Sequence, residues 1–375
     1  MEIIVLSSYS YIIKVNNYGS ILQYYALQTY LERKGHNVKW LKYEAIKKTP
    51  KGLNKWLREK FLHSYFKTDN VEYYNKEGFS QFINKYINLT SQTYITSKEL
   101  YTLPPKADLY IVGSDQVWNG YSPDRFLTFV PKNIPKISYA VSFGKNKIPQ
   151  YMKPLIWFYL KSFKAISVRE TEGVKLCHSL GRKDAKYTID PSFLLNKEDY
   201  TKIIKNDKSI TTIPYPYIYG YFVNPFPDNI LTEKTSIDSF LKNSQLPFFV
   251  TGIQNAEFAL KEYNIINPSP LEWINTILNA KYIITNSFHG VAFSINLQKN
   301  FLLISQAGDM ANQNCRYFNL LKRLGLEDRI YNSTKGSLEK QMKASINWDK
   351  VEIEKNKFIS ESQNFLLNEI SKIKK

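Results

Sequence analysis

The chain has 375 residues, more than one hydrophobic core usually organises, and its 43% hydrophobic and 22% charged residues are typical of a globular protein. No stretch approaches the roughly 18 apolar residues that span a bilayer, and the two cysteines, Cys177 and Cys315, lack the spacing of a metal site. The formal net charge of +18 comes from dispersed lysines, which fits a lysine-rich proteome or attraction to phosphorylated substrates, lipid diphosphates or an acidic membrane surface.

Apolar runs separated by helical patterns predict that the first half of the chain is a parallel α/β domain, residues 1–192. A helix is predicted over 20–34, and strands are predicted at 3–7, 38–43, 108–112, 136–141 and 165–168. A lysine- and aromatic-rich region at about 51–101 predicts a helical insertion. Because no basic segment precedes the first apolar run, we expect a cytoplasmic chain.

The pattern restarts after Asp190-Pro191, which predicts a second α/β domain over residues 193–345. Its helices are predicted at 229–243, at 270–279 and from Ser287, and its strands at 217–223, 248–251, 282–285 and 301–304. The tail, residues 346–375, has the pattern of one helix that packs on the body. Two such domains that face each other would place ligands in a cleft beyond the carboxyl ends of their strands.

One strand of the second domain runs directly into the polar segment Thr285-Asn286-Ser287-Phe288-His289-Gly290. Amide groups at the start of the following helix favour a phosphate or a carboxylate, so we predict an anion site formed by Ser287, Phe288, His289 and Gly290. His289 lies in the first helical turn and is a candidate proton donor. The alternative is a histidine that only hydrogen-bonds a loop carbonyl.

Two arginines are candidate ligands for the same anion. The short strand before Arg169 and Glu170 places both side chains at its carboxyl end, where Arg169 could grip a phosphate or carboxylate through two parallel hydrogen bonds. The alternative is an arginine that is paired only with Glu170 or another nearby acid. Arg316 begins a predicted helix near the cleft of the second domain and is the second candidate.

The strand at 108–112 also has a polar exit. Ser114, Asp115 and Gln116 could hydrogen-bond the hydroxyls of an acceptor, and Trp118 could stack on a sugar face. The alternative for Asp115 is a helix N-cap. Asp190 has two similar interpretations, because it could be a base or only the cap of the turn at Pro191.

The loop after the first strand contains a further set of acceptor-binding candidates, Asn17, Tyr18 and Gly19. Glycine at position 19 permits a close approach between the backbone and a ligand. The loop lacks the additional glycines of a dinucleotide fingerprint, so we infer no NAD site. Nor do we find a cluster suited to a metal, a serine elbow or a nucleic-acid-binding module, and we expect no cofactor, no metal and no nucleic-acid partner.

Taken in order, these segments resemble the polysaccharide pyruvyl transferase family over residues from about Asn17 to Leu326. Each motif is weak alone, and six in the right order are specific. The motifs are N-Y-G-S-I-L-Q-Y-Y-A-L-Q from Asn17, D-L-Y-I-V-G-S-D-Q-V-W-N from Asp108, I-S-Y-A-V-S-F-G from Ile137, I-S-V-R-E from Ile166, I-D-P-S-F-L-L from Ile189 and I-T-N-S-F-H-G from Ile284.

The resemblance implies two Rossmann-like domains that face each other across a cleft, as in GT-B glycosyltransferases. It also implies phosphoenolpyruvate as donor and a sugar acceptor in a capsular, exo- or cell-wall polysaccharide. The acceptor side would lie in the first domain and the phosphoenolpyruvate side in the second. A lipid-diphosphate-linked oligosaccharide is one such acceptor, and it would bring the protein into peripheral contact with the inner membrane surface.

The resulting hypothesis is a pyruvyl transferase that forms a cyclic ketal. His289 supplies or relays a proton, Arg169 and Arg316 bind the anionic groups, and Asp115 or Asp190 orients or deprotonates the acceptor. Two alternatives are a glycosyltransferase that uses a nucleotide sugar on the same scaffold, and a carbohydrate-binding assembly protein without catalytic activity.

Overall fold

The computed structural model describes residues 1–7, 17–43, 75–223, 231–253, 260–306, 311 and 313–373. It contains two parallel β-sheets, each covered by helices. The predicted α/β class is therefore confirmed. Within these ranges, no helix is long and apolar enough to cross a bilayer.

The first sheet has the strand order β2-β1-β3-β4-β5-β6, and all of its neighbouring strands are parallel. Its strands are β1 (Glu2–Leu6), β2 (Asn37–Trp40), β3 (Leu109–Val112), β4 (Lys136–Val141), β5 (Ala165–Val168) and β6 (Lys186–Tyr187). All residues of β3, β4 and β5 are buried, as expected of strands that are covered on both faces. The two-residue β6 was not predicted, because so short a strand has no periodicity.

The first part of the chain forms six helices within the described residues. They are α1 (Tyr18–Glu32), α2 (Lys76–Tyr86), α3 (Ser97–Thr102), α4 (Lys153–Lys161), α5 (Thr171–Ser179) and α6 (Lys197–Lys205). The side chain of Asn17 caps α1 by accepting a hydrogen bond from the amide of Ser20. Of the insertion predicted at 51–101, residues 51–74 lie outside the described residues, and the rest contains α2 and most of α3.

The second sheet has the order β11-β10-β7-β8-β9 and is also parallel. Its strands are β7 (Ile218–Val223), β8 (Phe248–Ile253), β9 (Asn264–Ile265), β10 (Tyr282–Thr285) and β11 (Phe301–Leu303). Its helices are α7 (Lys234–Ser244), α8 (Pro270–Asn279), α9 (Phe288–Asn296), α10 (Cys315–Leu324) and α11 (Leu338–Lys343). Strand β9 is the second short edge strand that the sequence pattern did not predict.

The tail forms the helix α12 (Trp348–Ser371), which packs on the body as predicted. Its buried stripe includes Val351, Phe358, Leu366 and Ile370. The hydroxyl of Ser362 accepts a hydrogen bond from the amide of Ile189, at 2.9 Å. The helix therefore reaches back to the end of the first part of the chain.

Each sheet has a point where its strand order reverses direction. In the first sheet this point lies between β1 and β3, and in the second it lies between β7 and β10. Ligands of doubly wound sheets bind beyond the carboxyl ends of strands at such a point. The segment that begins α1 follows β1 in the chain, and the segment that begins α9 follows β10.

An aromatic contact fixes α1 against the second sheet's helices. The ring of Tyr18 stacks on Trp273 at 5.3 Å between centroids, and its hydroxyl donates to the carbonyl of Pro268 at 2.7 Å. Tyr221 of β7 meets both Tyr18 and Trp273 edge-on. Because these rings are buried, they hold the start of α1 close to the start of α9.

Candidate active site

Arg169 lies at the centre of a buried ionic cluster at the carboxyl end of β5. Its Nη1 donates to Asp190 Oδ2 at 2.7 Å, and its Nη2 donates to Asp115 Oδ1 at 3.2 Å. The side chain is 2% exposed, so both pairs are shielded from water. Arg169 is thus paired with two other acids and not with Glu170, and these partners come from the loop after β3 and from the turn at Pro191.

Asp190 joins Arg169 to the second half of the chain. Its Oδ2 accepts from Arg169 and from the hydroxyl of Ser114, and lies 3.7 Å from His289 Nε2. Its Oδ1 accepts from the amide of Ser192 at 3.0 Å, which is the turn cap that the sequence left open as an alternative. Asp190 is fully buried, so it faces other site residues and not solvent.

His289 lies in the first turn of α9, with its ring against the start of α1. A β-carbon built on Gly19 would fall 2.0 Å from His289 Nδ1, so only glycine fits there with the ring in this position. The Nε2 atom is buried and makes no hydrogen bond to any described residue. At 3.7 Å from Asp190 it is beyond hydrogen-bond distance but within strong electrostatic reach.

The other residues of the predicted anion segment have distinct positions. Phe288 places its ring under the guanidinium of Arg169, with 4.1 Å between the guanidinium carbon and the ring centroid. Ser287 is the N-cap of α9 and makes no side-chain capping bond, which leaves the first-turn amides without that partner. A β-carbon on Gly290 would fall 2.2 Å from Thr285 Oγ1, so Gly290 lets α9 pack closely on β10.

Asp115 is held at the carboxyl end of β3 in a left-handed backbone conformation, with φ of 70°. Aspartate tolerates this region better than most residues, yet it still costs free energy, as is common at functional sites. Its Oδ2 accepts from the hydroxyl of Ser20 at 2.7 Å, and its other oxygen faces Arg169. The carboxylate bonds these side chains instead of a helix start, so the N-cap alternative is wrong.

Both aspartates are ionised by their surroundings. Burial raises the pKa of Asp115, but the charges of Arg169, His289 and Arg316 outweigh burial and hold that pKa well below its usual range. Burial likewise raises the pKa of Asp190. The interactions with His289 and Arg169 outweigh burial and hold that pKa below its usual range. Carboxylates stabilised in this way are weak bases.

Arg316 lies in the same cleft, at the start of α10. Its Nε donates to the carbonyl of Gln313 at 3.0 Å, and its Nη2 donates to the side-chain oxygen of Gln313 at 2.8 Å. Burial lowers the pKa of Arg316, and the positive charge of Arg169 lowers it further. The amide of Gln116 also contacts Gln313, at 3.0 Å. Two like-charged guanidinium groups held near each other favour an anion between or beside them.

Glu170 is a buried carboxylate to which the sequence assigned only a possible pairing with Arg169. Its Oε1 accepts from the hydroxyl of Ser142 and the amide of Phe143, at 2.8 and 2.9 Å. Burial raises the pKa of Glu170, and the charge of Arg169 opposes this. Its position next to Arg169 in the sequence was the available signal, but the loop after β4 that holds it could not be predicted.

Three of the predicted acceptor ligands are not available to a sugar. Trp118 is 0% exposed and stacks on Phe126 at 5.0 Å between centroids, so its predicted stacking on a sugar is wrong. Tyr18 is buried in the aromatic contact that holds α1. Ser114 is also buried, and its hydroxyl bonds Asp190 and the carbonyl of Ala140. The sequence spacing could not show which way these side chains face.

Of the remaining acceptor candidates, Asn17, Gln116 and Asp115 reach the surface in part, and Gly19 is buried. Asn17 and Gln116 are partly exposed, and the side chain of Asp115 is 12% exposed. Gly19 contacts His289, as described above. No group of three or more histidines, cysteines, aspartates or glutamates in the described ranges could hold a metal ion.

The family model described as polysaccharide pyruvyl transferase matches residues 17–308, most of the chain and all of the site except Arg316 and Gln313. No curated protein matches the chain.

Two solved structures show the fold. The UDP-N-acetylglucosamine 2-epimerase from Rickettsia bellii is 10% identical in sequence and has a TM-score of 0.51. The match covers 100% of this chain and 97% of the epimerase chain. A variant of the wall teichoic acid polymerase TagF is 12% identical in sequence and has a TM-score of 0.51. The match covers 100% of this chain and 89% of the polymerase chain. At these identities the likeness concerns architecture alone, and it confirms the predicted GT-B-like arrangement of two Rossmann-like units.

Proposed function

The chain belongs to the polysaccharide pyruvyl transferase family, and from this premise we propose that it transfers the pyruvate of phosphoenolpyruvate onto two hydroxyls of a sugar as a cyclic ketal. The observation that supports the proposal best is the Arg169–Asp190–His289 arrangement. It places a guanidinium and an imidazole from two different sheets around one buried carboxylate. We propose a polysaccharide of the cell surface as the final product and the cytoplasm as the location of the reaction.

The reaction requires positive charge and one mobile proton. A proton adds to the methylene carbon of phosphoenolpyruvate, and the oxygen of one sugar hydroxyl bonds to the neighbouring carbon. The bond from that carbon to the phosphate oxygen breaks, and the second hydroxyl oxygen takes its place. The two hydroxyl protons are released, one to restore the acid and one to the departing phosphate.

We assign the proton to His289. Its Nε2 is buried and makes no hydrogen bond to a described residue, so it is available to a substrate, and the carboxylate of Asp190 lies 3.7 Å from it. Arg169, Arg316 and the amides at the start of α9 hold the carboxylate and the phosphate while positive character develops between them. No metal or cofactor takes part in this scheme.

We assign different roles to the two aspartates. Asp190 is fully buried and bonded to Arg169, so we propose that it positions Arg169 and His289 instead of contacting the acceptor. Asp115 is the more exposed of the two and is the residue that we propose binds the acceptor hydroxyls, with the partly exposed Asn17 and Gln116 at the rim and Gly19 beneath them against His289. The acceptor side then lies in residues 1–192, and the phosphoenolpyruvate side lies mainly in residues 193–345.

The test is an incubation with phosphoenolpyruvate and candidate acceptors, beginning with lipid-diphosphate-linked oligosaccharides. We expect inorganic phosphate release and an acceptor heavier by pyruvate less water, with NMR to distinguish the ketal from an enolpyruvyl ether. Release of a nucleoside diphosphate from a nucleotide sugar would instead favour a glycosyltransferase. Acceptor binding without any phosphoenolpyruvate-dependent product would favour the non-catalytic assembly protein.

Two variants test the residue assignment. His289→Ala and Arg169→Ala should each lose turnover, because one removes the proton and the other removes the charge that holds the anion. The matched controls are His178→Ala on the exposed side of α5 and Arg323→Ala, whose partner Glu361 is at the surface. Wild-type turnover in both site variants would refute the assignment.

A further inference from the structure

Helix α4 exposes a large apolar surface. Four side chains in or just before this helix are strongly exposed, and we call them the α4 patch: Tyr151 at 81%, Leu155 at 40%, Trp157 at 46% and Phe158 at 64%. Single exposed apolar residues are common on proteins, but four large ones within eight consecutive positions are not.

The orientation of α4 is fixed by its opposite face. Ile156, Tyr159 and Leu160 are buried in the core that covers the first sheet. Leu155 and Phe158 are three residues apart and therefore share the outer face. The patch cannot turn inward without taking these core residues into water, so its exposure is a property of the fold.

The chain segment that carries the patch is basic. Between Asp124 and Glu170 the sequence contains no aspartate or glutamate, but it contains seven lysines, of which Lys136 is buried and six are at least partly exposed: Lys132, Lys145, Lys147, Lys153, Lys161 and Lys164. Lys161 lies over the ring of Trp157, with 5.2 Å from Nζ to the centroid. The nearby Asp184 is paired with Arg182 at 2.7 Å, so it does not cancel this charge.

We propose that the α4 patch docks on an anionic phospholipid bilayer. Tryptophan and tyrosine favour the interface between lipid and water, phenylalanine and leucine insert below it, and lysines beside them attract acidic headgroups. A second copy of the chain is a poorer occupant, because a two-fold contact would bring the lysines of both copies together. The excess of exposed lysines in this segment is complementary to negative charge.

The C-terminal half of α4, which carries Trp157 and Phe158, lies toward the edge of the first sheet opposite the candidate site. Helix α4 runs from the carboxyl end of β4 to the amino end of β5, where the amide of Lys164 donates to the carbonyl of Lys136 at 2.9 Å. A β-carbon on Gly181, just before β6, would fall 3.7 Å from Trp157 Nε1. Docking on this surface therefore does not rest on the proposed function.

Sedimentation with vesicles tests the docking without any assay of activity. The full chain is mixed with vesicles of phosphatidylglycerol and phosphatidylcholine, or of phosphatidylcholine alone. We expect binding to the anionic vesicles only, and weaker binding at high salt, because salt screens charge. The Trp157→Ser/Phe158→Ser double variant should bind at least about tenfold more weakly. Lys161→Glu/Lys164→Glu should bind more than roughly 30-fold more weakly. Each lysine near an anionic surface strengthens binding about fivefold, and the two new glutamates are repelled by the headgroups.

Matched changes on another exposed helix serve as controls. Ile353 of α12 is 68% exposed, a fraction similar to the 64% of Phe158, and Lys357 of the same helix is exposed. Ile353→Ser and Lys357→Glu should bind as the wild type does, and thermal unfolding should show that all variants are folded. The proposal is overturned if the wild type does not bind anionic vesicles, or if the α4 variants bind as tightly as these controls. Dimers in solution that the α4 variants abolish would assign the patch to a second copy instead.

Discussion

Gly19 and His289 touch across the two halves of the molecule: a β-carbon at position 19 would fall 2.0 Å from the imidazole Nδ1. The first turn of α1 and the first turn of α9 therefore meet at one ring. Since the backbone of Gly19 is held by the buried aromatic contact of Tyr18, the helix cannot move away to make room.

Gly19→Ala should therefore displace His289. We expect kcat/KM with phosphoenolpyruvate to fall by about 100-fold, because a misplacement of about 1 Å at the reacting groups is enough for such a loss. Gly120→Ala is the control, since its β-carbon would meet only the flexible end of Arg125 at 3.3 Å. Equal activity of the two variants would show that the ring position does not matter.

Arg169→Lys retains the charge but not the two-pronged geometry. A lysine has one nitrogen in place of Nη1 and Nη2, so it cannot reproduce the separate positions from which they now reach Asp190 at 2.7 Å and Asp115 at 3.2 Å. We expect turnover to fall by about 100-fold and the free energy of unfolding to drop by up to about 3–5 kcal/mol, the loss typical of a broken buried pair. Steady-state kinetics and chemical denaturation measure the two effects. Arg323→Lys, at an exposed pair, should change neither.

Acid should destabilise the protein partly through Asp190. Its folded-state pKa is held below the ordinary value of about 3.9, so Asp190 adds stability above about pH 4 and loses this contribution as the pH falls further. Below about pH 4, the free energy of unfolding should therefore change less steeply with pH in Asp190→Asn than in the wild type. The difference between the two slopes should be up to about 1.4 kcal/mol per pH unit. Denaturation at a series of pH values measures the slope. The exposed change Asp349→Asn should leave the wild-type slope, and the idea fails if Asp190→Asn does too.

Trp118 should affect stability and not acceptor binding. Its ring is buried against Phe126, and its indole nitrogen donates to the carbonyl of Arg125 at 3.1 Å. We expect Trp118→Ala to lower the free energy of unfolding by about 3–5 kcal/mol, the usual cost of removing a buried aromatic ring. Trp118→Phe should keep the wild-type KM for the acceptor. A large rise of that KM in a folded Trp118→Phe protein would restore the sugar-stacking role.

The sequence predicted the fold class and most of the elements that surround the site. Alternating apolar and helical patterns are local properties, so β4, β5 and β10 fall within the predicted residues, and α8 coincides with its predicted range. The edge strands β6 and β9 were missed, because two residues have no period. The predicted domain boundaries at residues 192 and 345 stay a prediction.

The candidate site was predicted as a set of residues but not as an arrangement. Chain order places Arg169, Asp190 and His289 at strand or domain ends, since polar residues after buried strands are visible in the sequence. Which of them meet depends on how the two sheets face, because Arg169 and Asp190 are 21 positions apart in the chain and Asp190 and His289 are 99 apart. Burial is equally non-local. The same local pattern made Asp115 and Trp118 look like surface ligands, and only the packing of the first sheet placed one in the cleft and the other in the core.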